Sequence, residues 1–286
     1  MIANARMYSV SPEAHGLWRR LLAAVIEHAG LDIHLLDHAE PDPIHELWAR
    51  SDKAAVFMCG LPFSLAEPRP ALIAAPVPSP PDFRALPQYW SEMVVREDSG
   101  LETIEDTFGG RIALTAPDSQ SGCLAALHYL MTAANRFPVY GEVISPRVTP
   151  LGAASAVIEG AADVAPIDAY AFSLLRKYRA DLTSQLRVVD RTARTPIPPL
   201  VASQEGLDAL QEAFLEAHEI ATIQPLMTEL LLQRFVRPGA SSYDALQRNF
   251  EAATGFWSDH PLAAVIHPAF ARVASDLGGR LWRAET

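Results

Sequence analysis

The residues best placed to do chemistry are Thr115-Ala116-Pro117-Asp118-Ser119-Gln120-Ser121-Gly122. They follow an apolar run, Arg111 to Thr115, and lead into a helical pattern from about Gly122 to Ala134. The opening amides of a helix have no partner inside it and lie at the positive end of its macrodipole, so they attract an anion or a carboxylate cap. Ser119 and Ser121 add hydroxyl donors, and Gly122 lets a ligand approach the backbone closely. The chemistry on offer is non-covalent capture of negative charge. The competing reading is plain capping, with Asp118 or Ser119 closing the helix and no ligand involved.

Other constellations are thin. The nine histidines include no His-Glu-x-x-His pair of the zinc-protease kind, and His34 and His38, although four apart, fall across an expected strand and loop. Gly-x-Ser-x-Gly, Gly-x-x-x-x-Gly-Lys and Gly-x-Gly-x-x-Gly do not occur. Cys59 and Cys123 are too few for a disulfide framework or a zinc cage and are read as thiols. No catalytic residue, metal ligand or cofactor is therefore assigned.

Charge and hydropathy narrow the partners. Lys and Arg number 23 against 34 Asp and Glu, a net charge of −11, which argues against a nucleic-acid surface. A small anion is still admissible, because local backbone dipoles outweigh distant charge. No run of about 18 apolar residues is present, so no membrane insertion is expected. Met1-Ile2-Ala3-Asn4-Ala5-Arg6 lacks the basic and apolar segments of a signal peptide, which suggests a cytoplasmic chain, or a periplasmic one in mature form.

The elements that must position the loop alternate between strand and helix. Arg6 to Val10 reads as a strand, 13–29 as a helix with Leu17, Leu21, Leu22, Val25 and Ile26 on one face, and Ala54 to Cys59 as a buried strand ended by Gly60. Prolines at 68, 70, 76, 78, 80, 81 and 87 predict edge segments and loops. Strands are expected at 92–96, 111–115, 139–144, 162–165, 186–189 and 200–202, helices at 101–108 and 153–159, and mostly helix after Gly206. This is an α/β chain. The expected partition is a discontinuous first lobe, 1–90 with 200–286, around an inserted second lobe, 91–199, with two crossings acting as a hinge and a ligand held in the cleft.

Several strings, taken in order, resemble one family. Gln88-Tyr89-Trp90-Ser91 with Val94-Val95, Phe108-Gly109-Gly110-Arg111-Ile112-Ala113, Ser119-Gln120-Ser121-Gly122, Gly160 to Asp168 and Thr195 to Leu200 look like the phosphate, phosphite and phosphonate substrate-binding proteins of ABC transporters. The likeness spans about residues 6–235. It implies a type 2 periplasmic-binding-protein fold and a Ser-Thr-Ser-Gly loop for phosphonate or phosphate oxygens, matched here by Ser119 to Gly122 with Gln120 in place of a hydroxyl residue. Two departures stand out. Thr149-Pro150-Leu151-Gly152 lacks the histidine common in the family before its Gly-x-x-Asp helix, and Cys59-Gly60 replaces an aromatic-Gly pair.

The expected function is a solute-binding protein that captures a small oxyanion by hinge closure and serves an ABC permease. Its ligand-binding candidates are Tyr8, Ser9, Ser11, Cys59, Gly60, Tyr89, Ser119, Gln120, Ser121, Gly122 and Asp168. Tyr8 and Tyr89 have alternative readings as packing residues, Cys59 as a buried thiol, and Asp168 as a helix cap. The alternative function is a cytoplasmic enzyme or sensor on the same fold, similar to menaquinone-pathway enzymes and acting on a small carboxylated or phosphorylated metabolite.

Overall fold

A computed structural model describes residues 1–40, 42–133, 139–145, 147 and 149–257. His260 and His267, and the tail of the expected lobe one, lie outside the described residues. The chain forms two compact units, one of residues 1–88 and 196–243, the other of residues 89–195 together with the segment that begins at Asp244. The elements are β1 (Ile2–Asn4), α1 (Pro12–His28), β2 (His34–Leu35), α2 (Ile44–Ala49), β3 (Lys53–Phe57), α3 (Gly60–Leu65), β4 (Ala71–Pro78), β5 (Gln88–Tyr89), β6 (Ser91–Arg96) and β7 (Arg111–Ala113). There follow α4 (Ala125–Ala133), β8 (Glu142–Ile144), α5 (Pro150–Ile158), β9 (Ala165–Asp168), α6 (Ala169–Tyr178), α7 (Ala180–Thr183), β10 (Leu186–Arg191), β11 (Thr195–Pro196), β12 (Leu200–Ala202), α8 (Asp208–Glu216), α9 (Gln224–Glu229), β13 (Leu232–Val236) and α10 (Asp244–Trp257).

The first unit is built on a six-stranded sheet in the order β13-β4-β12-β3-β1-β2. β3 runs parallel to β1, which runs parallel to β2, while β12 and β13 pair antiparallel with their neighbours. All five residues of β3 are buried, the apolar run Ala54 to Phe57 and Lys53 before it. Helix α1 starts where Ser11 Oγ accepts the Ala14 N–H, with Pro12 at the first position, and buries Leu17, Trp18, Leu21, Leu22, Val25 and Ile26. Gly30, at φ 66°, ends it in the left-handed region open to glycine.

Three expectations are corrected here. The first strand is Ile2–Asn4, and Arg6–Tyr8 is a 3-10 turn, because the amides of Tyr8 and Ser9 close on the carbonyls of Ala5 and Arg6. The proline-rich stretch contains β4, an interior strand. Its pairing with β12 covers Ala71 to Ala74, and Pro76 and Pro78 lie beyond, paired only with β13, where missing donors matter on one flank at most. Residues 101–108 form only a 3-10 turn at Glu105–Thr107. The described chain after Gly206 is mostly helix, as expected, with one strand, β13, whose burial pattern is too irregular to read as alternation.

The second unit holds a three-stranded antiparallel sheet, β10-β6-β9, and a parallel pair, β7-β8. An isolated parallel bridge joins Ile112 to Val164. Its core gathers Val94, Ala113, Ala153, Val157, Ile167, Phe172 and Leu186. Helix α10 packs on α4, and Asp244–Trp257 groups with this unit, whereas lobe one was expected to take 200–286. Among the described residues no helix is long and apolar enough to cross a membrane.

β7 is tied to the segment before β9 by Asp163, whose carboxylate accepts from the Arg111 N–H (2.7 Å) and from its guanidinium Nη2 (2.9 Å). The Arg111 hydrogen bonds hold the Asp163 carboxyl below its ordinary value of 3.8. A depressed carboxylate pKa stabilises the fold above the unfolded value, and that contribution is lost as pH falls through the folded one. Asp163→Asn is therefore expected to lower the melting temperature at pH 7, with the gap to wild type closing below about pH 4, as measured by thermal unfolding across pH.

Candidate functional site

The segment from Thr115 to Gly122 leads directly into a continuous helical stretch. Gln120–Leu124 is a π-helical opening, with the Leu124 N–H donating to Ser119 O (3.0 Å) and the Ala125 N–H to Gln120 O, and α4 follows. Such wide turns recur at functional sites. Ser119 is the N-cap: its hydroxyl oxygen accepts the Gly122 N–H at 3.1 Å. One amide expected to face an anion is thus taken by a cap. The helix start still presents the positive end of its dipole, and Ser121 beside it is only half-buried.

Gly122 is required for a reason the sequence did not show. The Thr115 N–H donates to Gly122 O at 3.0 Å, and a Cβ at 122 would stand on Thr115 Oγ1 and 2.7 Å from its Cγ2. Close approach of Thr115, and not only of a ligand, excludes a side chain there. Beneath the loop, Asp118 is 3% and Gln120 1% exposed. Cys123 is fully enclosed, and burial, helped by the negative charge of Asp118, pushes its thiol up to about 12.

Strands β6 and β9 bring further candidates of the second unit to this turn. Ser91 Oγ donates to Ser121 O at 2.6 Å, and Ser91 is the register partner of Asp168. Asp168 ends β9, and its Oδ1 accepts the N–H groups of Tyr170 and Ala171 at 2.9 Å each, so it caps α6. Tyr89 is buried in β5, which pairs with β11.

Three neighbours had no signal strong enough to single them out. Thr192 Oγ1 accepts the Ser91 N–H (2.9 Å), and the guanidiniums of Arg194 and Arg191 lie 4.3 and 5.4 Å from the centroid of the Trp90 ring. Arg191 also pairs with the buried Glu92 at 2.9 Å. Positions 90 and 194 are far apart in sequence, and they meet because they lie between two strand pairs, β6-β10 and β5-β11.

The remaining candidates lie in the first unit. Tyr8 is 1% exposed, its ring edge-on to Phe57 at 5.1 Å and stacked with Trp18 at 6.4 Å, so it serves packing. Ser9 Oγ donates to Ala5 O and meets His15 Nδ1 at 3.2 Å, and Ser11 caps α1. Cys59 and Gly60 are buried, and Gly60 opens α3. β1 and β3 are parallel neighbours, so Tyr8 and Cys59 follow their carboxyl ends. Among the described residues no group of His, Cys, Asp and Glu is arranged to hold a metal ion.

A family model for the periplasmic substrate-binding protein of phosphonate ABC transporters matches residues 11–243. The chain belongs to that family. Solved structures agree in fold. A binding protein component of an ABC phosphonate transporter from Pseudomonas aeruginosa matches with TM-score 0.74 at 16% identity, covering 100% of this chain and 99% of that one. A Prochlorococcus marinus protein in complex with methylphosphonate matches with TM-score 0.71 at 15% identity, covering 88% and 96%. A Xanthomonas citri protein bound to ATP matches with TM-score 0.60 at 17% identity, covering 91% and 98%. A comparison with curated proteins gives no match. The family's solute-binding role and its binding-protein fold agree with the reading of the sequence.

The loop geometry sets two stability expectations. Ser119→Ala removes a cap and costs about 1 kcal/mol, whereas Gly122→Ala forces Thr115 aside and costs about 1–3 kcal/mol, both measured by urea unfolding. Because the Cys123 thiol is enclosed and held protonated, a thiol reagent at pH 8 should label it only in denaturant, as read by mass spectrometry.

Proposed function

We propose that this protein captures a small phosphorus oxyanion, phosphate or a phosphonate, at the start of the Gln120–Ala133 helical stretch and delivers it to an ABC permease. The observation that carries the proposal is the position of Ser121: half-buried at a helix start, beside the Ser119 cap, in a chain of the phosphonate-binding family. The dipole and the first-turn amides attract negative charge locally, although the chain as a whole carries −11. Tyr89 and Asp168 are the second-unit candidates for the rest of the ligand, with Asp168 holding its place through the α6 cap. The relative from Prochlorococcus marinus was solved with methylphosphonate, which supports the ligand class. The family's setting supports a periplasmic site of action.

The donor set is leaner than the family's pattern implies. Gln120 replaces a hydroxyl residue, and the stretch that lacks the family's histidine has Thr149, whose hydroxyl oxygen caps α5 by accepting the Gly152 N–H at 3.1 Å. Ser121 therefore carries a larger share of recognition. Titration of the full chain with phosphate, methylphosphonate and acetate, followed by melting temperature and calorimetry, should show stabilisation by the two phosphorus oxyanions. A ligand at a hundred times its Kd adds about 2.7 kcal/mol. Ser121→Ala should weaken that binding about ten-fold or more, the worth of a hydrogen bond to a charged group, with the unliganded melting temperature unchanged. Absence of any shift with either phosphorus oxyanion refutes the proposal.

A further inference from the structure

Thr115 lies two residues beyond the end of β7 and is 3% exposed. Its backbone is fully engaged: the N–H donates to Gly122 O at 3.0 Å, and the carbonyl accepts from Ser145 Oγ at 3.2 Å. Its hydroxyl oxygen is buried and has no hydrogen-bond partner among the described residues. Burying a hydroxyl unsatisfied costs about 1–3 kcal/mol. Valine has the same shape without that cost, so packing alone gives no reason for threonine.

The hydroxyl lies where a side chain on Gly122 would stand, against the opening turn of the helical stretch. The Gly122 amide is already held by Ser119, so the space left by the missing Cβ brings the Thr115 hydroxyl up to the turn. We infer that Thr115 Oγ1 donates a hydrogen bond to the bound oxyanion, as a specificity-determining residue outside the Ser119–Gly122 loop. This rests on the function proposed above. A hydroxyl can donate or accept, and toward a deprotonated oxyanion it donates. A tetrahedral oxyanion presents three or four acceptor oxygens and has one to spare for Thr115 after the helix start is satisfied. A planar carboxylate presents two. Thr115 thus favours phosphate and phosphonate over carboxylates.

The test compares wild type, Thr115→Val and Thr115→Ser in the full chain, by calorimetry with inorganic phosphate and methylphosphonate and by unliganded melting temperature. Thr115→Val is expected to bind both anions about ten-fold more weakly or worse, with a melting temperature equal to or above wild type, while Thr115→Ser keeps wild-type affinity. Equal affinity of Thr115→Val and wild type overturns the inference and leaves the proposed function standing. Equal weakening in Thr115→Ser also overturns it, because the effect then follows shape and not the hydroxyl. A wild-type protein that binds neither anion overturns both. If Thr115→Val does not fold, Thr115→Ala against Thr115→Ser makes the same comparison, and equal affinity of that pair overturns the inference.

Discussion

The close approach of Thr115 to Gly122 is the constraint on which the candidate site depends. A strand end and a helix start are drawn together by one backbone hydrogen bond and by the absence of a single Cβ. The chain between them folds over a buried carboxylate and a buried thiol, Asp118 and Cys123. Ser119 then fixes the helix start, and the π-helical turn spreads its first residues. Remove the glycine and the strand end has to retreat from the helix. The electrostatic character of the loop is thus a product of steric closeness, since the dipole acts only over the first turn.

The sequence made this loop visible because its signals are local. A strand, a Ser-x-Ser-Gly and a helical period occur within a short span, and each is legible without tertiary information. Helix α1 and strand β3 were equally plain, the first from its apolar face, the second from the apolar run Ala54 to Phe57. β4 was hidden because prolines report a missing donor, and whether that donor is needed depends on which flank is paired. The Arg6–Tyr8 turn was hidden because its letters suit a strand, and the close of the turn rests on carbonyls three residues back.

Site residues were harder to separate from scaffold because the same types do both jobs. Ser11, Ser119, Thr149 and Asp168 each cap a helix. A short side chain with an oxygen that satisfies the first amides of a helix is also the side chain that contacts an anion bound there. Ser121 does not cap, and no pattern in the sequence distinguished it from its neighbour. The Arg194–Trp90–Arg191 stack was invisible for the opposite reason: its members are ordinary residues brought together by antiparallel strand pairing.

Helix α10 has a consequence for how the molecule is made. The helical stretch that opens at Gln120 packs on β9 and also on Asp244–Trp257, which is made only after the chain has completed β12, α8, α9 and β13 of the other unit. On a ribosome, the part of α4 that α10 covers waits while more than a hundred residues emerge. Contacts of such long sequence separation form late and slowly. The last described helix therefore decides when the candidate helix is fully packed.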